Sequence, residues 1–412
     1  MSTITDALRQ IRTNPALACV AGLAAASFLI YALPWVWMLQ TQLVHGLETF
    51  DFANKDFVNY WMAGRMTLAG TEHDLFTQQI YFARLQEVFG AGMEIKNWSY
   101  PPHFLLMLWP LGFMDYEVAL AVFLVVTFAL FVAAVYVFRA NVAPQSSVAV
   151  LCCALFGYAM MQIDTTQNGF LTSAFLLFGL AWMRERPILA GLAFACLTIK
   201  PQLGILIPVL LLWDRNWRTI LWAGLFTLGL VGASMAFFGI ESWQLYLTET
   251  LAYQRFVMTD WVGIFLAMMP TVFGAGRTLG FSPAAAGLLQ WPVSIAAAMA
   301  LFWLLRQERD PLYRIFIVVC GTFLITPYAF NYDMGALTAV AAMLVSSPRI
   351  ATHRAAATSI AAIAGLSGIV MNLGRSELPV APLLFAIGLG VVAWSLGQRS
   401  SADVRTPADA HC

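Results

Sequence analysis

Apolar runs of roughly 20 residues recur along the whole chain, the length an α-helix needs to cross a bilayer. A membrane β-barrel shows short segments of alternating polarity instead, and those are not seen here. Hydrophobic residues make up 60% of the 412, where about half is usual in a soluble domain. The expected fold class is therefore an all-α polytopic integral membrane protein. Formal net charge is zero, so the chain exerts no overall pull on nucleic acid. Of the cysteines, Cys19, Cys152, Cys153, Cys196 and Cys320 lie in apolar runs and Cys412 lies in the tail. None has metal-ligand spacing, and they read as packing residues rather than a disulfide framework.

The runs can be ordered across the membrane by their flanking charges. Residues 1–14 are polar and carry Arg9 and Arg12, which places the N-terminus in the cytoplasm. The run from Pro15 to Leu39 has an apolar core too long for a signal peptide and is kept as the first span. Residues 40–101 are then an extracytoplasmic loop. Later spans are read at 120–138, 148–163, 170–183, 219–238, 284–305, 315–327, 334–345, 355–373 and 380–396. Arg184, Arg186, Arg215, Arg218, Arg306, Arg309, Arg314, Arg349 and Arg354 mark cytoplasmic edges. Residues 187–213 begin and end at such edges, so they read as a hairpin of two short helices. Pro201 supplies the break, and Lys200 sits near the outer tip. The hydropathy rule gives about 12 spans in one transmembrane domain over 15–396, with a polar cytoplasmic tail at 397–412. Residues 103–114 are a short span or a re-entrant piece; a full crossing there would move the 164–169 linker inside.

The loop between Leu39 and Pro102 is the one sizeable polar break, and loops that long are usually functional or disordered. It also holds Phe50, Phe52, Phe57, Tyr60, Trp61, Phe76, Tyr81, Phe82, Phe89, Trp98 and Tyr100, enough aromatic surface to pack. A folded cap is expected, with helices at 57–68 and 77–90 lying along the membrane surface. Asp56 is placed to cap the first and Gly70 to end it.

Four polar clusters then fall on the outer side: Asp51 with Asp56, Gln167 with Asn168, Lys200, and Asn331-Tyr332-Asp333. Asp56 is either a helix cap or a carboxylate able to take a proton from a sugar hydroxyl within hydrogen-bond reach. Asp51 is a second loop acid, equally able to be simply solvated. Lys200 is the strongest anomaly, because an intramembrane cation is costly and points to function. Its partner is a lipid phosphate, bound as a point charge, or an acid such as Asp333, or its ammonium snorkels to the headgroups. Asp333 is an N-cap, a sugar ligand or the charge partner of Lys200. His103, beside Pro102, is an interfacial residue or a phosphate contact; His73 and His353 read as surface. No phosphate loop, zinc spacing or serine-hydrolase elbow is present, so an activated substrate would arrive in the membrane.

The run Asp56-Phe57-Val58-Asn59-Tyr60-Trp61-Met62-Ala63-Gly64-Arg65, then Gly70 and Tyr100-Pro101-Pro102, resembles the opening of glycosyltransferase family 87. That family includes mycobacterial mannosyltransferases of phosphatidylinositol mannoside synthesis. Gln167-Asn168-Gly169, Lys200-Pro201 and the stretch from Thr326-Pro327-Tyr328 to Asp333 look like its later signatures, in the same order, so the resemblance spans roughly residues 20–345. It implies a GT-C-type bundle with a catalytic first outer loop, in the bacterial inner membrane. The donor implied is a polyprenyl-phosphate sugar, often mannose, used without a cofactor or an obligatory metal. The acceptor is an extracytoplasmic glycolipid or glycan, and transfer is inverting. Asp56 would be the base, Lys200 a donor-phosphate contact, and Tyr60 and Arg65 would join the substrate-binding set with Asp51, His103, Gln167, Asn168, Asn331, Tyr332 and Asp333. One departure stands out: where the family often carries histidine after its late Ser/Thr-Pro, this chain has Asn331, Tyr332 and Asp333. The residues alone leave two other readings open, a polar-lipid transporter or flippase and a non-catalytic subunit of an envelope-glycan assembly.

Overall fold

The computed structural model describes residues 13–45 and 55–403, and these are helical with no strand among them. Asp51, the polar N-terminus and residues 404–412 of the tail lie outside that description. Among the described residues, six helices are long and apolar enough to cross a bilayer: Pro15–Pro34, Tyr116–Val142, Val148–Thr165, Trp217–Asp260, Pro283–Gln307 and Ala381–Gln398. Shorter apolar helices stand with them, including Gly169–Trp182, Pro187–Leu197, Pro201–Trp213 and Pro311–Ile325. The chain is an all-α polytopic membrane protein.

Burial sorts these helices into a centre and a rim. Every residue of Gly335–Val345 is buried, as is nearly all of Pro311–Ile325. A helix that is apolar all round belongs inside. Tyr116–Val142 instead exposes Val125, Phe128, Val132 and Tyr136, an apolar face of the size that meets lipid rather than water. The hairpin expected between Pro187 and Trp213 is present. Pro187–Leu197 ends, Pro201 opens a 3-10 turn, and Ile207–Trp213 returns. Trp217–Leu245 breaks at Gly239, whose φ of 73° leaves the helical region. His73 of the loop bonds the Phe238 carbonyl at 2.9 Å beside that break.

The loop folds as a cap with its own apolar core. Phe57, Tyr60, Trp61, Tyr81, Trp98, Tyr100 and Phe104 are its centre, with Ile199 and Phe238 reaching in from the bundle. The helix expected at 57–68 runs Phe57–Ala69 and ends at Gly70 in the left-handed region. It does not lie along the surface as expected. Residues Phe57 to Gly64 are all buried, because its aromatic rings and its Gly64 face are packed on more than one side. Gln78–Phe89 buries only Tyr81 and Leu85 and is the surface helix of the pair. Residues 102–113 form three short helical pieces that pack against Phe57–Ala69. Gly64 meets Gly112 backbone to backbone; a Cβ on Gly64 would stand 2.7 Å from the Gly112 nitrogen. A piece welded to the cap in this way fits the re-entrant reading.

Ion pairs mark the two ends. Lys55, at the loop's return, pairs with Asp164 at 3.0 Å, which puts the 164–169 linker on the loop's side. At the other end Arg184 and Arg314 share Asp214, and Arg349 pairs with Glu308 at 2.9 Å. The five described cysteines are free thiols.

Candidate functional site

A cavity of about 920 Å³ opens between the cap and the bundle. It is within the size range of ligand sites, which combine apolar walls with a few placed polar groups. Asp56, Tyr100, Gln167, Lys200 and Tyr332 line it. The loop acid and the hairpin cation, 144 positions apart in sequence, therefore share one chamber, and the field of Asp56 reaches Lys200.

Asp56 occupies the residue before Phe57–Ala69, yet its side chain accepts no bond from that helix. The capping role that a carboxylate commonly plays there is unfilled. Its position is set by its neighbours. Lys55 Nζ reaches Asp164 Oδ1 at 3.0 Å, and the Phe57 N–H donates to Thr166 Oγ1 at 3.1 Å. Both anchors come from the 164–169 linker, so the loop residue between them is pinned from either side. Thr166 holds a left-handed φ of 52°, a conformation that costs a non-glycine residue energy and is kept only where its surroundings demand it.

The linker also orders the cavity wall. The Tyr60 hydroxyl donates to Gln167 Oε1 at 2.6 Å and lies 2.9 Å from the Tyr100 hydroxyl. Gln162 Nε2 donates to the Gln167 carbonyl. Gly169 follows because nothing larger fits: a Cβ there would overlap the Tyr332 carbonyl oxygen, which also accepts from Tyr158 at 2.8 Å. The Gln167-Asn168-Gly169 and Asn331-Tyr332-Asp333 stretches are thus packed on one another.

Lys200 is buried, and its Nζ stands 2.6 Å from Asp333 Oδ1. It also sits 4.5 Å from the centre of the Tyr332 ring, in reach of a cation–π attraction. Asp333 Oδ2 accepts the Phe330 N–H at 3.1 Å, so this acid both caps its turn and neutralises the lysine. The structural alternatives for both residues are present in one contact. A buried ammonium without such a partner would be several kcal/mol less stable.

The remaining expected residues are not on the cavity wall. Arg65 is exposed, with its guanidinium 5.5 Å from the Trp61 ring. His103 is buried beneath the cap, bonded to Thr198 at 3.1 Å and stacked on Trp243. Asn168 is wholly buried and neither amide atom has a hydrogen-bond partner. Asn331 gives its backbone N–H to the Met268 carbonyl at 2.9 Å and its Oδ1 accepts from the Tyr332 N–H. Tyr60 is within the cap core and meets the site through Gln167.

Sequence reasoning missed several lining residues: Tyr31, Lys55, Asn59, Asp164, Arg255, Asn372 and Arg375. Arg375 carried a signal, being a charge between the last two apolar runs on the outer side. Tyr31 carried none, because one tyrosine in an apolar run looks like packing.

The sequence profile of glycosyltransferase family 87 matches residues 98–327, more than half of the chain. The match takes in Tyr100, Gln167 and Lys200, and ends before the Asn331–Asp333 turn; Asp56 precedes it. No curated protein and no solved structure matches the chain.

Proposed function

The chain belongs to glycosyltransferase family 87, and from that premise we propose that this membrane glycosyltransferase moves a hexose, with mannose the first to try, from a polyprenyl-phosphate donor to an extracytoplasmic glycolipid or glycan. The acceptor hydroxyl attacks the anomeric carbon as the bond from that carbon to the phosphate oxygen breaks on the opposite face. The hydroxyl proton goes to the Asp56 carboxylate, the electron pair leaves with the phosphate, and the anomeric configuration inverts.

One observation carries this reading. Among the described acids on the cavity wall, Asp164 is held by Lys55 and Glu94 by Lys96, while the Asp56 carboxylate has no hydrogen bond or ion pair with any described residue. A general base must be free to receive a proton and must be positioned; Asp56 is free, and Lys55 and Phe57 position it. The Lys200–Asp333 pair, already neutral, serves in this reading as the fixed polar wall of the sugar end. Inversion requires only one carboxylate at the reacting carbon, with the phosphate as its own leaving group.

The test is transfer by purified protein from a labelled polyprenyl-phosphate hexose, with the product's anomeric configuration determined by NMR. Asp56→Asn, folded as shown by its melting curve, should lose about 10²–10⁴-fold in rate, the usual contribution of a general base. A folded Asp56→Asn protein with full activity removes the assigned base. Movement of the lipid across proteoliposomes without bond formation overturns the transfer reading itself.

A further inference from the structure

The charges on the cavity wall are unevenly paired. Lys55, Lys96 and Lys200 each have an acid partner at 3.4 Å or less. Arg255 and Arg375 line the same cavity and have no hydrogen bond or ion pair from their guanidinium groups among the described residues. A cavity that keeps two free guanidinium groups beside one free carboxylate is suited to a ligand with its own negative charge.

The two arginines have different company. Beside Arg375 stand two other groups with unfilled hydrogen-bonding capacity. Asn372 is three residues earlier in Val370–Arg375, and residues three apart share a helix face. Its Oδ1 is buried without a partner. Tyr31, on the first helix, is only 4% exposed and lines the cavity, and its hydroxyl also lacks a partner. The fields of Asp164 and Arg375 both reach Tyr31, which ties this corner to the Lys55–Asp164 pair flanking Asp56. Burying an unpaired hydroxyl is unfavourable, so the arrangement makes sense when a ligand completes it. Tyr31 supplies an O–H donor, Arg375 the forked donors that fit phosphate oxygens, and the Asn372 amide, turned over, an N–H pair. Ile30, Pro34 and Met371, sequence neighbours of Tyr31 and Asn372, line the same cavity and give an adjoining chain an apolar wall. Arg255 has no comparable buried partners.

We propose that Tyr31, Asn372 and Arg375 form the anion subsite that holds the phosphate of the lipid donor, with Arg375 the principal contact. All three lie outside the residues matched by the family profile. The proposal rests on the transfer reading above and specifies where its donor docks. The phosphate stands on the Tyr31 side, its lipid chain leaves along Ile30, Pro34 and Met371, and the sugar projects toward Asp56 and Gln167.

The experiment uses full-length protein in phosphatidylcholine nanodiscs and measures equilibrium binding of a polyprenyl monophosphate, with the uncharged polyprenol as reference. Losing a charge-assisted contact corresponds to about tenfold to hundredfold weaker binding. That loss is expected for Arg375→Gln, with polyprenol binding unchanged and partial recovery in Arg375→Lys. Tyr31→Phe should weaken phosphate binding by about threefold to tenfold. Arg255 and Arg375 are both exposed, but no buried unpaired group stands with Arg255, so Arg255→Gln should stay within about twofold. Arg375→Gln removes no hydrogen bond or ion pair made with the described residues, and unchanged melting temperature checks that the fold is kept. Binding by Arg375→Gln equal to the parent, or loss in Arg255→Gln instead, overturns the subsite. Competition by phosphatidylglycerol at equal mole fraction overturns its assignment to the donor, leaving a general headgroup site. Because binding is read without turnover, the two proposals fail separately. Phosphate binding that depends on Arg375 in a protein that transfers no sugar sinks the transfer reading alone. Transfer by Arg375→Gln with the parent's KM for donor sinks the subsite alone.

Discussion

The two ends of this bundle both gather charge, and they treat it differently. At the end read as cytoplasmic, the buried charges close on each other. Arg314 donates to Asp214 and to the Leu305 and Glu308 carbonyls. Glu308, fully buried, accepts from Arg349 and from the Arg309 and Asp310 N–H groups. At the cap end some charges are closed in the same way, but the side chains of Asp56, Arg255 and Arg375 are left open around a cavity. The closed set has the pattern of a joint and the open set that of a binding site. The physical reason is the cost of burial: a charge is kept buried only if it is satisfied, as Glu308 and Arg314 are, whereas Asp56 is half-buried and Arg255 and Arg375 are exposed, open to water or a ligand.

Five substitutions break or sharpen that comparison, and the largest effect is expected at the open end. Asp56→Asn should reduce transfer by about 10²–10⁴-fold and leave the melting temperature where it was, measured by labelled-sugar turnover beside a thermal melt. At the closed end the reverse is expected. Glu308→Ala leaves Arg349 without its carboxylate and should destabilise the protein by about 3–5 kcal/mol, seen in the melt, while the protein that stays folded keeps its specific activity. A Glu308→Ala protein with normal stability and lost turnover would erase the distinction between the ends.

The Lys200–Asp333 pair sits between these extremes, and a double-mutant cycle locates it. Lys200→Met and Asp333→Leu should each lower stability by about 3 kcal/mol or more, and the double variant should recover most of that, since removing both partners strands neither. No recovery in the melt would mean that the two are not mutual partners. A small effect on both stability and rate is expected for Asp164→Asn. Its partly exposed pair with Lys55 contributes no more than about 1 kcal/mol, and turnover should fall by about tenfold because the loop carrying Asp56 loosens, and small misplacements are expensive in rate. The drop should appear in kcat with KM nearly unchanged; a change in KM alone would mean that Asp164 contacts substrate instead of positioning the base.

Much of this molecule is legible in its residue order. Hydropathy locates the long helices, because spanning a bilayer imposes length and composition on a local stretch. The aromatic content of the loop foretells a folded cap, and Gly70 marks the end of its first helix. The placing of Lys200 at the hairpin tip follows from Pro201 and from counting cytoplasmic arginines. What stays hidden is set by packing across the chain. Arg65 belongs to the same short motif as Asp56 and Tyr60, yet it turns outward over Trp61. His103 has the place of a phosphate contact beside Pro102 and is instead stacked under Trp243. Neither outcome can be read from spacing, because helix faces are assigned by what packs against them.

Taken by itself, then, the amino-acid order determined that this is a helical membrane protein with one long folded polar loop, since those properties depend on neighbours within a few turns of helix. Only the tertiary structure decided which charges are satisfied. Lys200 with Asp333, 133 positions away, Lys55 with Asp164, 109 away, and the unfilled Tyr31 beside Arg375 are matters of distance in space. Electrostatic pairing acts over a few ångströms, and which residues come that close is settled by how the helices pack.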